Sequence, residues 1–232
     1  MATKITTPEL FNLSSNNTEA TQLPVFTTST RPTPTTSTVQ VEYLVIGGGG
    51  AGGCWGGGGG AGGYLTNYGG SKIPLTSGLD YAVVVGEGGV KPFTSFPQTT
   101  RVAVNPGEDS SIIGTGISVI ADGGGGGGGM VYGSTTTEFP AQNGGSGGGA
   151  SAIRNATSGG SKTTGQGNDG GDSPAQDPNY PGGGGGGGAF LAGGDGQSAS
   201  GSPAYAAGNG GDGLASSITG TSITRAGGGG GF

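Results

Sequence analysis

Histidine is absent from this sequence, and cysteine occurs once, as Cys54. Without them no zinc ligand set, disulfide framework or Cys/His dyad can be assembled within one chain. Cys54, between Gly53 and Trp55, reads as a small buried apolar residue. Charge is also scarce. Lys and Arg together number 8 and are scattered, so no basic stripe exists to track a phosphate backbone and no nucleic-acid partner is expected. No stretch approaches the roughly 18 consecutive apolar residues of a membrane helix, so no membrane insertion is expected. The opening Met-Ala-Thr-Lys-Ile-Thr-Thr carries no apolar signal region, which points to assembly in a cytoplasm without export. No catalytic residue, metal site or cofactor is expected, and the chain reads as a non-enzyme.

What the sequence has is glycine. Glycine and proline together make 75 of 232 residues. Such a composition ordinarily signals low-complexity disorder, but the net charge of −6 is too modest to expand a chain by self-repulsion. The glycines are also organised. A β-branched and aromatic segment at 39–46 runs into glycines at 47–50. Similar segments at 81–85 and 117–122 run into 86–89 and 123–129, and 216–224 precedes 227–231. Further runs lie at 56–60, 144–149 (broken by Ser146) and 182–188. Each apolar segment reads as a short strand. The segments at 64–81, 90–110, 130–143, 172–181 and 199–207 read as loops joining elements at the ends of a bundle.

Seven consecutive glycines cannot form a stable α-helix, because each costs about 1 kcal/mol relative to alanine. The remaining regular option is the polyproline-II-type helix, with three residues per turn and about 3.1 Å rise. Its N–H and C=O groups all point outward, so a buried run must exchange hydrogen bonds with neighbouring runs. Several runs are therefore needed together, and a seven-residue run would be about 22 Å long. The expected fold is mostly irregular and all-β: a bundle of polyglycine type II helices interleaved with short β-strands. Gly48, Gly58, Gly126, Gly148, Gly185 and Gly229 are the expected packing positions. A bulky side chain there, as in Gly126→Val, should be severe.

Residues 1–40 differ from the rest, being rich in Thr, Ser, Asn and Pro. They read as an extended arm that orders against a partner, with Ile5, Leu10, Phe11, Leu13, Leu23 and Phe26 as apolar pegs. Residues 41–232 form the glycine-rich domain. Tyr64, Tyr68, Phe93, Phe96, Tyr180 and Tyr205 are candidate receptor-contact residues on loops.

Two motifs imitate chemistry. Gly47, Gly49 and Gly52 satisfy G-x-G-x-x-G, but a dinucleotide site needs a helix next, whose N-terminus receives the pyrophosphate. Glycines follow instead. Gly167-Asn168-Asp169-Gly170-Gly171-Asp172, Gly193-Gly194-Asp195-Gly196 and Gly210-Gly211-Asp212-Gly213 suggest calcium-binding β-rolls, but these lack the tandem nine-residue repeat and read as turns.

Val41-Glu42-Tyr43-Leu44-Val45-Ile46-Gly47-Gly48-Gly49-Gly50-Ala51-Gly52-Gly53, with Ala61-Gly62-Gly63-Tyr64, resembles the glycine-rich domain of tailed-phage fibre and virion proteins. Tyr81-Ala82-Val83-Val84-Val85-Gly86, Asp109-Ser110-Ser111-Ile112-Ile113-Gly114 and Ser216-Ser217-Ile218-Thr219-Gly220-Thr221 extend the likeness over roughly 41–231. The arm, through Pro8-Glu9-Leu10-Phe11-Asn12-Leu13 and Gln22-Leu23-Pro24, is similar to leaders of structural proteins of marine and cyanobacterial phages. Members of the family often close the glycine-rich part with an apolar strand, whereas this sequence ends at Gly231-Phe232. The resemblance implies a virion structural protein, as fibre, capsid decoration or appendage subunit, assembled in the host cytoplasm. Its implied partners are other capsid or tail proteins, copies of itself and a host-surface receptor. A homotrimer is expected, since closed cyclic symmetry suits an appendage. The alternative is a secreted matrix or filament subunit built from polyglycine packing, which would require an export route.

Overall fold

The computed structural model of the protein describes residues 36–54, 56–91, 105–130, 138–152, 157–174, 182–198 and 206–232. The six apolar positions assigned to the arm lie outside them, as do Phe93, Phe96, Tyr180 and Tyr205.

Among the described residues there is no helix. The strands, in order, are β1 (Thr38–Val41), β2 (Leu44–Ile46), β3 (Tyr64–Thr66), β4 (Ile73–Thr76), β5 (Tyr81–Val84) and β6 (Ser110–Gly114). They continue with β7 (Ile117–Ala121), β8 (Gly129–Met130), β9 (Glu138–Phe139), β10 (Leu214–Ser216) and β11 (Ile223–Arg225). All ladders between them are antiparallel: β1 with β4, β2 with β3, β5–β6–β7, β8 with β9, and β10 with β11. The all-β, largely irregular class agrees with the sequence, but three local readings need correction.

The single strand expected over 39–46 is two strands with different partners. Asn67 ties the corner between them: Tyr43 N–H donates to Asn67 Oδ1 at 2.6 Å, and Asn67 Nδ2 donates to the Val41 carbonyl at 3.3 Å. The segment 216–224 is likewise a hairpin, reversing through Gly220 at φ 89° and pairing Ser216 with Ile223. Stretches read as loops contain β3, β4, β8 and β9. Pro74 is tolerated in β4 because, among the described residues, that strand has a neighbour on one side only. The β6–β7 turn is a two-residue connection, Thr115 and Gly116, in which Gly116 supplies the left-handed φ of 79° at the second position.

The glycine segments are neither helix nor strand, yet the amides of most of them are bonded with a spacing of three; the run at 144–149 departs from it, with Gly145 donating to Gly123 and Gly148 to Gln142. Gly47, Gly50 and Gly53 donate to the carbonyls of Gly63, Gly60 and Gly57 at 3.0, 2.8 and 2.9 Å. Gly57, Gly60 and Gly63 donate in turn to Gly128, Gly125 and Asp122. Between those donors, Gly58 and Ala61 donate to a different neighbour, Gly184 and Gly187. The run 182–188 behaves alike. Gly183, Gly186 and Ala189 donate to Phe232, Gly229 and Ala226; Gly184 and Gly187 donate to Ala150 and Gly147; and Gly185 donates to Gly194. Donors three apart share a neighbour, and successive donors turn to new ones.

These registers also orient the segments. Gly124 lies level with Gly48, and Gly127 with Ala51; Gly184 lies level with Gly58, and Phe232 with Gly56. Strands β2, β3, β5, β6, β7, β10 and β11 therefore adjoin one end of the glycine segments. Gly53, Gly56, Gly182 and Phe232 lie at the other. The interior holds little side chain: the largest fully buried ones are Ser146, Ser151 and Ser173. Buried apolar residues are mostly alanines, Ala51, Ala61, Ala121, Ala150 and Ala152, with Val45, Tyr64, Ile117 and Phe139. Backbone fills the space that leucine and isoleucine fill elsewhere.

Candidate functional site

The feature with a specific chemical requirement is the lattice of glycine segments. A Cβ added at Gly58 would overlap the carbonyl of Gly229, whose carbon lies 2.5 Å away. One at Gly48 would overlap the Glu87 carbonyl, at Gly148 the Gly126 carbonyl, and at Gly185 the Asn209 carbonyl. None of these glycines has left-handed backbone, so glycine is required for close approach and not for its φ freedom. Gly126 is buried and bonded in both directions: it donates to Gln142 Oε1 at 3.2 Å and accepts from Gln142 N–H at 2.9 Å. Gly229 differs. It donates to Gly59 and accepts from Gly186, but it is exposed, and the nearest atom to an added Cβ lies 3.2 Å away.

Where a segment lacks a glycine neighbour, a polar side chain takes the donor. Asp109 Oδ1 accepts Gly123 N–H, Asp172 Oδ1 accepts Gly159 N–H and Asp195 Oδ1 accepts Asp172 N–H, each at 2.8 Å. Asn143 Oδ1 accepts Ser161 N–H at 2.7 Å. Asp169 accepts both the Lys162 N–H and its ammonium, at 2.9 Å each, and these bonds hold its carboxyl below the usual aspartate range, the backbone bond most of all. Asp169, Asp172 and Asp195 of the Asp/Gly segments thus contribute side-chain acceptors for backbone amides. Among the described residues no group of three or more Asp, Glu, Cys or His converges on a point where a metal could sit. The Gly47/Gly49/Gly52 motif lies in the same lattice: Gly47 donates to the Gly63 carbonyl, the Gly49 carbonyl accepts from Gly89 N–H, and Gly48 and Gly50 between them donate to Glu108 and Gly60.

Cys54 is half-buried and unpaired with any other cysteine, not fully buried as its neighbours in sequence suggest. Burial pushes its thiol up, and the Lys91 ammonium partly opposes that. Of the described aromatics, Tyr64 lies in β3 and is 7 % exposed, so its ring is packed and not displayed on a loop. Tyr68 is 43 % exposed at the strand-bearing end.

Two features escaped the sequence reading. Val83, Val84 and Val85 are exposed, at 66, 53 and 81 %. Their unbroken apolar run, lacking the alternation of a half-buried strand, was the available signal. The second is Ser146, whose hydroxyl is buried with no hydrogen-bond partner, as is that of Ser151. Ser146 looked like a simple interruption of a glycine run. Removing an orphaned buried hydroxyl should be favourable, so Ser146→Ala is expected to raise stability by about 1 kcal/mol. Urea unfolding followed by circular dichroism measures it, and a loss of stability would show that the hydroxyl has a partner in solution.

No curated protein and no solved structure matches the chain. The profile of a family described as a glycine-rich domain matches residues 26–232, nearly the whole chain, and the protein belongs to that family.

Proposed function

We propose that the glycine segments wind as polyglycine II helices and that their bundle is the body of a phage virion structural protein. The observation that carries the helical reading is the return of the runs at 47–53, 57–63, 123–128 and 182–189 to the same neighbour every third residue. A helix with three residues per turn sends successive amides in three directions, about 120° apart. The overlaps at Gly48, Gly58, Gly148 and Gly185 support it as well: a Cα–H faces a neighbouring carbonyl at each, the weak bond that closely packed glycine helices can add.

Such a bundle derives rigidity from crossed backbone bonds and needs almost no apolar core. That suits a short, stiff projection better than a pocket for chemistry. The likeness of the sequence to glycine-rich phage fibre and virion proteins supports the same assignment. On this reading residues 1–40 dock on a capsid or tail protein and 41–232 project as a fibre, decoration or appendage subunit. The body joins two copies of itself in a homotrimer and meets a host-surface receptor.

Deleting residues 1–35, the part of the arm that precedes strand β1, tests the assignment. The truncated chain should keep its thermal unfolding transition and be missing from purified particles. Incorporation at normal occupancy would place attachment elsewhere.

A further inference from the structure

Among the described residues strand β5 is the outer strand of its sheet, paired to β6 alone, and its edge carries their most exposed apolar run. Beside it opens a groove of about 570 Å³. Glu42, Leu44, Val84, Ile112, Ile218 and Arg225 are among the residues lining it. One wall is thus the chain approaching and forming β2, and another is the end of β5. An unpaired, apolar strand edge is a template for a further strand, and native proteins normally blunt such an edge with charge, proline or a cover. Here Val83, Val84 and Val85 do the opposite.

We infer that the β5 edge and this groove receive an extended segment of another polypeptide, apolar at alternate positions and basic at its ends, by strand addition. Backbone bonds to the free edge would supply affinity, and the groove would hold alternate side chains. The basic ends follow from charge. Asp80 and Glu87 flank β5, and Glu108 and Asp109 precede its partner β6, all four exposed. Among the described residues lining the groove, Glu42 stands with a single cation, Arg225, whose Nη1 donates to the Ile223 carbonyl. The same charges disfavour a second copy of this chain. Two β5 strands laid antiparallel about Val83 and Val84 would bring Asp80 of each against Glu87 of the other. Like charges placed opposite one another across a ladder are destabilising. The inference concerns the glycine-rich body and does not depend on the role assigned to residues 1–40.

The probe is a fluorescein-labelled peptide, Lys-Lys-Val-Thr-Val-Thr-Val-Lys-Lys, titrated with the full chain and read by anisotropy. A control peptide carries Glu at the four Lys positions. The basic peptide should saturate and the acidic one should not. Val84→Lys, a change at an exposed site that should leave the melting temperature unmoved, should weaken binding by about tenfold or more. No saturable binding, equal binding of the two peptides, or unchanged affinity in Val84→Lys would overturn the inference. So would sedimentation showing a dimer of the wild-type chain that Val84→Lys abolishes, because the occupant would then be a second copy.

Discussion

Gly58→Ala should destabilise the protein by about 3 kcal/mol or more, at the upper end for a single added methyl. The new carbon would fall on the carbonyl of Gly229, within 2.5 Å of its carbon. That obstacle is backbone, held in place because Gly229 donates to Gly59 and its oxygen accepts from Gly186 at 2.8 Å. No rotamer change can relieve the overlap, so the segments must part and their crossed bonds lengthen together. Gly49→Ala is the matched control. Gly49 is exposed, its backbone is not left-handed, and the nearest atom to an added Cβ lies 3.8 Å away. Alanine there restricts the unfolded chain and should be neutral or stabilising by up to about 1 kcal/mol. Thermal and urea unfolding of both variants separates a steric need for glycine from a compositional one. Equal effects at the two positions would mean that the segments are not in contact.

A single glycine inserted after Gly125 should be as damaging, though it adds no side chain. Beyond the insertion every amide is displaced by one step in a three-step cycle. Gly127 would no longer face Ala51, nor Gly128 face Gly149, and the Gly128 carbonyl would turn from Gly57. Leaving a buried backbone group unpaired costs about 1–3 kcal/mol, so three or more such losses reach roughly 5 kcal/mol, comparable to a domain's whole stability. The same residue inserted between Thr221 and Ser222, both exposed in the β10–β11 connection, should change stability little, because lengthening a surface turn costs mainly loop entropy. Loss of the cooperative transition in the first variant and its retention in the second is the expected result. Tolerance of both would show that the run at 123–128 behaves as a linker.

The pure glycine runs and the apolar strands feeding them could be read directly, because both rest on local rules: propensity, turn chemistry and the absence of side chains. The mixed segments could not. Asn105, Asn168, Asp172 and Asn209 interrupt their glycines, yet 105–109, 166–173 and 206–211 join the same lattice through Asn105, Asn168, Asp172 and Asn209 carbonyls. A residue whose side chain points away from its neighbours is compatible with the packing, and one sequence does not say which way it points. Nor could it divide 39–46 into two strands, since that depends on Asn67, more than 20 residues away. The candidate site was legible as a requirement for glycine. It was not legible position by position, as Gly58 and Gly229 show: both were expected to pack, but an added Cβ would fall on a carbonyl at Gly58 and at Gly229 would make only a tight contact, 3.2 Å from the nearest atom.

Amide hydrogen exchange of the glycines, followed by NMR, tests the central claim most directly. Exchange reports the opening of each bond separately. The crossed packing predicts strong protection at Gly57 and Gly60, which face the run at 123–128, and at Gly58 and Ala61, which face 182–188. Gly184 and Gly187 should be protected with them. The exposed Gly49, Gly227 and Gly230 should exchange quickly. Exchange of all these glycines at the rate of an unstructured chain would contradict the account.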